Sequence, residues 1–285
     1  MEPEPLDTSE LARAGAGLLT LLLAMMVITW IVFDAAGLSP AEPDLEERIK
    51  EAPTVLFTAF FLSGLATGAF AYGFSSGPLR FLLGSSSELG WRGAVGGALA
   101  TLLTGQSVFF LVGAVGDPGG ENQELLSAGL LSPSPLLATL ALTSVILVNP
   151  LGEELFYRGF LLDCLNRVFG SGFAIVLSAT LYGLMQFDPV QSFAATMMGV
   201  VLGVLALGGA SLRPAIFANV FFNLVLVLLH RFAPAGFAAP ELVLGPLENL
   251  LAAVVTGALA VFCLVFAVGR PRLAEIFSRA PAPYA

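Results

Sequence analysis

Apolar runs of about 20 residues, the length a helix needs to cross a bilayer, recur along this chain and leave it few ways to fold. They fall near Ala14 to Leu38, Thr54 to Phe74, Ala94 to Gly116, Pro135 to Leu151, Gly172 to Phe187, Phe193 to Gly208, Ala215 to Leu229 and Leu250 to Val268. Hydrocarbon offers no partner to a backbone N–H or C=O, so each run must satisfy its own as a helix. The expected fold is all-α: a polytopic integral membrane protein with about eight transmembrane helices in one bundle. Charge content agrees, since 12% of the 285 residues are charged against about 25% in a soluble domain, and the mean hydropathy is +0.88.

The polar remainder divides the chain. Residues 1–12 read as an acidic tail, 13–270 as a single transmembrane helical domain, and 271–285 as a second tail. The net charge of −9 comes largely from Met1 to Glu10 and from the loop Glu42 to Glu51, so it describes exposed segments. No basic patch with interleaved aromatics exists, which excludes nucleic acid as a partner and leaves the lipid bilayer. Cys164 and Cys263 lack metal-ligand spacing and read as small packing residues. The opening Met-Glu-Pro-Glu-Pro is the opposite of the basic start of a secretory signal, so the first apolar run reads as an uncleaved helix. With the N-terminus inside, all Lys and Arg except Arg48, Lys50 and Arg231 fall on inward segments, and both termini come out cytoplasmic. Ala-, Gly-, Leu- and Pro-rich composition with a single Lys suggests a bacterial inner membrane.

One stretch breaks the apolar pattern. Val145 to Phe160 reads VILVNPLGEELFYRGF, setting Glu153, Glu154 and Arg158 directly behind a membrane-length run. Each ionisable group at membrane depth costs about 2.5 to 3.5 kcal/mol on the insertion scale, so three within six residues suggest a site. On a continuing helix Glu154 and Arg158 share a face and can pair, while Glu153 points about 100° away. The alternative is a helix end at the water interface, closed by an ordinary Glu–Arg pair.

Further polar residues stand at helical depth. The fifth run carries Ser178, Tyr182 and Gln186 at i+4 steps, and the seventh carries Asn219 and Asn223 at the same spacing. Singly, such residues serve as interhelical hydrogen-bond partners worth about 0.6 kcal/mol; Gln106 and Ser107 are read that way. His230 is the only histidine and reads as interfacial, which rules out a zinc protease by ligand count. No metal or cofactor is expected. Topology leaves one tension: Gln186 falls toward the outer end of its helix while Glu153 falls near the inner end of the fourth. It disappears if the fourth helix runs on, bent at Pro150 to Gly152, through Arg158 toward Arg167.

Three blocks of these residues resemble the CAAX prenyl protease type 2 and bacteriocin-processing family, known as CPBP or Abi. The first is Glu153-Glu154-Leu155-Phe156-Tyr157-Arg158, fitting the family's Glu-Glu-x-x-x-Arg. The second is Ser178 to Gln186, similar to Ser-x-x-x-Phe-x-x-x-His with Gln186 in the histidine place. The third is Gly199 to Asn223, a glycine-spaced helix, a turn and a His-x-x-x-Asn helix with Asn219 in the histidine place. The resemblance covers a core at 135–229 and implies a glutamic-type intramembrane endopeptidase acting on a membrane-bound peptide or protein. Transferred residue by residue, it implies a catalytic set of Glu153, Glu154, Arg158, Gln186, Asn219 and Asn223, with Glu153 and Gln186 on the water and Asn219 and Asn223 on the oxyanion.

Both histidine places hold amides, which cannot carry a proton near neutral pH. Two readings therefore stay open. In one, Glu153 alone serves as base and then as acid among surrounding amides, slowed by the missing group. In the other, the protein is a catalytically impaired relative that binds or regulates a membrane partner. A transporter, suggested by the Pro150-Leu-Gly152 interruption beside charges, lacks the second broken helix that such folds carry.

Overall fold

The computed structural model describes residues 8–38, 48, 52–74, 87–115, 134–186, 188–232 and 244–278. Among them are nine helices and no strand: α1 (Thr8–Ala35), α2 (Pro53–Phe74), α3 (Gly90–Val115), α4 (Pro135–Phe169), α5 (Ser171–Leu184), α6 (Pro189–Gly209), α7 (Arg213–Phe232), α8 (Pro246–Val268) and α9 (Arg270–Ser278). Every expected apolar run is a helix. Helices α1, α2, α3, α4, α6 and α8 are long and apolar enough to cross a membrane, whereas α5 and α7 are shorter apolar helices. The chain is a polytopic membrane protein.

Burial follows the logic of a bilayer rather than of water. Large apolar side chains face outward, among them Leu23, Met26 and Trp30 on α1 and Val254, Val255 and Phe262 on α8. Small and polar groups such as Ser63, Thr67, Thr101, Ser144 and Ser178 are turned inward, where helices meet. Lipid tails compete equally well for apolar surface, so close packing and interhelical polar contacts hold such a bundle together. Ser107 does this in the expected way, its hydroxyl donating to the Ala253 carbonyl across α3 and α8 at 2.8 Å. Cys164 is a buried free thiol and Cys263 a half-buried one.

Helix α4 is the axis of the bundle, touching α1, α2, α5, α6 and α7, while α3 packs along α8 and against α6 and α7. It runs unbroken through Pro150 to Phe169, which is the continuation expected through Arg158 toward Arg167. At Pro150 to Gly152, where the bend is expected, the helix changes type. Two widened π-helical stretches, Ser144–Val148 and Glu154–Leu161, flank a regular segment, Asn149–Glu153. Pro150 donates no N–H and its ring crowds the carbonyl four residues back. In the stretch before it the Asn149 N–H reaches back five residues to Ser144, shifting the register so that the helix continues past the proline.

Glycine brings α2 against this axis. A Cβ at Gly152 would run into the Gly64 carbonyl oxygen, and one at Gly64 into the Asn149 side chain. The backbones can approach this closely only because neither position has a side chain. Short connections then fold α4 to α7 together: Gly170 alone (φ 80°) joins α4 to α5, and Asp188 caps α6 by accepting from the Gln191 N–H at 2.7 Å. The turn between α6 and α7 places Ala210 in the left-handed region (φ 46°).

The two segments expected as tails contribute structure. Helix α1 already begins at Thr8, and α9 occupies the start of the C-terminal segment, with Ile276 buried and Arg272 donating to the Gly208 carbonyl at 2.9 Å while pairing with Glu88. The acidic loop at 42–47, Lys50 and the His230 side chain lie outside the described residues.

The Gly64–Gly152 contact gives a direct test. Gly152→Val should destabilise the protein by about 1–3 kcal/mol through overpacking, read as a lowered thermal midpoint in detergent. An unchanged midpoint would mean that α2 and α4 do not meet there.

Candidate active site

The charged stretch lies along α4, 18 residues into a 35-residue helix, so Glu153 is about 24 Å of helical rise from the Phe169 end. The two glutamates part as adjacent helical residues must. Glu154 is fully buried and Glu153 is half-buried.

Glu154 meets Arg158, itself 2% exposed, with Oε1 3.1 Å from Nη1. The Arg158 guanidinium also lies over the face of Tyr182, its Cζ 4.5 Å from the ring centroid, and 6.0 Å from that of Tyr157. A desolvated cation over an aromatic face gains about 2 kcal/mol. No described group makes a hydrogen bond to either terminal nitrogen of Arg158, so charge and ring faces hold it in place. Opposite it, Gly199 on α6 leaves the room it needs: a Cβ there would sit 3.0 Å from Nη2 and 3.0 Å from the Ala179 Cβ. The glycine spacing of α6 thus has a steric reason at this level of the bundle.

Asn219 ties α7 to both carboxylates. Its Nδ2 donates to Glu154 Oε1 at 2.9 Å and to Glu153 Oε2 at 3.4 Å. Carboxylates accept, so the amide nitrogen must face them and its oxygen must face away. That oxygen takes a hydrogen bond from Asn223 Nδ2 at 3.1 Å, and the same nitrogen reaches the Asn219 carbonyl at 2.9 Å. Both hydrogens of the Asn219 amide are therefore committed to glutamates.

Tyr182 closes the other side. Its phenol donates to Glu153 Oε2 at 3.0 Å, and its ring packs 5.0 Å from that of Tyr157. Tyr182 stands outside the residue set drawn from the sequence, although the stripe Ser178, Tyr182 and Gln186 contained the signal. Of that stripe, Ser178 turns back to the Ile175 carbonyl of its own helix at 3.2 Å. Gln186 lies half-buried in the turn after α5, one turn past Tyr182, and its side chain makes no hydrogen bond among the described residues.

Glu153, Glu154, Arg158, Asn219 and Asn223 thus form one connected polar cluster with Tyr182, to which Gln186 makes no hydrogen bond. Glu153 Oε2 accepts two hydrogen bonds, whereas no described group donates to Oε1. Among the described residues, no three His, Cys, Asp or Glu side chains form a metal-holding group. What the cluster offers chemically is one oriented carboxylate with a lone pair to spare, set among amides and a phenol.

Comparison with known proteins points to the same region. Residues 135–225 match a family model described as Type II CAAX prenyl endopeptidase Rce1-like. The matched span begins at the first residue of α4 and ends in α7, so it contains every residue of the cluster. No curated protein and no solved structure matches the chain.

Arg158→Met leaves Glu154 charged and alone in the bundle, which should cost about 3–5 kcal/mol. Pairing it with Glu154→Gln removes the orphaned charge and should recover most of the lost thermal midpoint. Equal midpoints for the single variant and the wild type would refute the buried pair.

Proposed function

We propose that this chain, whose residues 135–225 are an Rce1-like core, is a CAAX protease-like intramembrane peptidase that uses Glu153 to activate water against a peptide bond of a membrane-associated substrate. The observation that carries the reading is the asymmetry of Glu153: Oε2 is held by Tyr182 and Asn219, and Oε1 faces no donor among the described residues. Such a carboxylate is the arrangement a general base needs, fixed in orientation and open to the proton it removes.

The chemistry balances with Glu153 alone. Oε1 takes a proton from water as the water oxygen bonds to the scissile carbonyl carbon and the carbonyl electron pair moves onto its oxygen. Collapse breaks the C–N bond, and Glu153 returns the proton to the leaving nitrogen. Glu154 stays paired with Arg158 and acts through position only. Asn219 donates to the carboxylates and Asn223 donates to Asn219, so of the two half-buried amides, Gln186 and Asn223, Gln186 is the donor proposed for the oxyanion. Neither amide can share the proton transfers, and a missing acid–base group typically costs 10²- to 10⁴-fold in rate. A slow enzyme is expected.

Glu153→Gln keeps the size and hydrogen-bonding capacity of the side chain while removing the base. In vesicles carrying a library of quenched-fluorescent, prenylated-cysteine peptides, it should abolish the cleavage seen with the wild type. Cleavage at the wild-type rate would end the peptidase reading.

One observation favours a second reading, a pseudoprotease that binds a membrane partner. The Asn219 amide bridges both carboxylates and closes the cluster on itself. Gln186→His combined with Asn219→His discriminates, since a latent protease gains rate and a pure binding protein does not.

The proposed setting is a bacterial inner membrane with both termini cytoplasmic, supported by the distribution of Lys and Arg between the loops. In intact cells and a cysteine-free background, an impermeant thiol reagent should label Ala41→Cys and spare Ala285→Cys. The reverse pattern would invert the topology.

A further inference from the structure

We infer that Tyr182 is the positioning residue of the proposed hydrolysis, its phenol setting the Glu153 carboxylate so that Oε1, and not Oε2, receives the proton of the attacking water. This rests on the peptidase reading and adds to it a group that neither the charged stretch nor the amide pattern singles out.

The geometry separates the two carboxylate oxygens. Tyr182 donates to Oε2 at 3.0 Å, whereas the only other described donor to that oxygen, Asn219 Nδ2, stands at 3.4 Å and at 2.9 Å from Glu154. The phenol is therefore the nearer of the two constraints on Glu153, and the asparagine belongs chiefly to the neighbouring glutamate. A carboxylate held at one oxygen can rotate only about that anchor, which leaves Oε1 facing no donor among the described residues.

Tyr182 is itself held so that its hydroxyl has little choice. It is 6% exposed, its ring lies over the Arg158 guanidinium on one contact and against Tyr157 on another, and it projects from α5 at the level where α4 carries Glu153. The same ring thus locks the arginine of the buried pair, while its oxygen orients the adjacent glutamate. A phenylalanine keeps the first contact and loses the second. The hydroxyl stays protonated throughout: water gives its proton to Oε1, the C–O bond forms, and the same proton leaves Oε1 for the departing nitrogen as the C–N bond breaks.

Tyr182→Phe tests this in the full-length protein, reconstituted with the library of quenched-fluorescent, prenylated-cysteine peptides. The expected result is a kcat about 10- to 100-fold lower with KM within about twofold, since the interaction lost serves the reacting geometry and not binding. The thermal midpoint should stay within a few degrees of the wild type, because the ring contacts remain. A second measurement needs no turnover: in protein with ring-labelled tyrosine, the infrared C–O stretch lost in Tyr182→Phe should shift in Glu153→Gln.

The outcomes separate the two claims. Abolished cleavage in Glu153→Gln with an unchanged kcat in Tyr182→Phe overturns the tyrosine inference and leaves the peptidase reading standing. A wild type that cleaves no peptide, or a Glu153→Gln variant that cleaves normally, overturns both. A phenol band that ignores Glu153→Gln overturns the tyrosine inference whatever the kinetics show.

Discussion

A guanidinium and a carboxylate 3.1 Å apart inside a helix bundle, with neither side chain reaching solvent, set the terms for everything around them. Arg158 cannot be left alone at that depth, and neither can Glu154. Such a pair is a poor source of stability, because desolvating both charges consumes most of what their attraction returns. Its effect is specificity. It commits Glu154, requires ring faces from Tyr157 and Tyr182, requires space at Gly199, and recruits the Asn219 amide to the same carboxylate oxygen that faces Arg158. Four helices are brought into register around one ion pair, and Glu153 is what the pairing leaves over.

The same arrangement fixes where along the bundle the site lies. Read from topology alone, Gln186 and Glu153 fall toward opposite membrane faces. In the structure Glu153 lies near the middle of the long helix α4, and its contact is Tyr182, two residues short of the end of α5. The polar cluster therefore stands at the level where short α5 and short α7 cross long α4. Widened π-helical turns on both sides of Asn149–Glu153 belong to this solution, since they carry the helix past Pro150 and set the direction of the residues that follow. Such turns recur at functional sites because they aim side chains that a regular helix would aim elsewhere.

Most of the fold was legible from apolar periodicity, because a bilayer allows few alternatives to a spanning helix. Every apolar run appears as a helix, and the continuation of the fourth through Arg158 followed from reconciling topology with charge. The Glu154–Arg158 pair followed from i+4 spacing. The π-helical turns were not legible, since a widened turn depends on what packs beside the proline rather than on the proline itself. Nor was the role of Tyr182, whose position in a polar stripe was visible while its partner was not: only the crossing of α5 and α4 shows which carboxylate it faces. The commitment of Asn219 to both glutamates has the same origin. A sequence shows that an amide is at depth, and tertiary contact decides whether its hydrogens are open to a substrate.

Adjacent glutamates in one membrane helix have been made chemically unequal, one locked and one open. Treating the intact protein with a hydrocarbon-soluble carbodiimide and mapping the adducts by mass spectrometry tests this inequality directly. Modification at Glu153 with Glu154 spared is the expected result. Equal modification of the two, or preferential modification of Glu154, would contradict it.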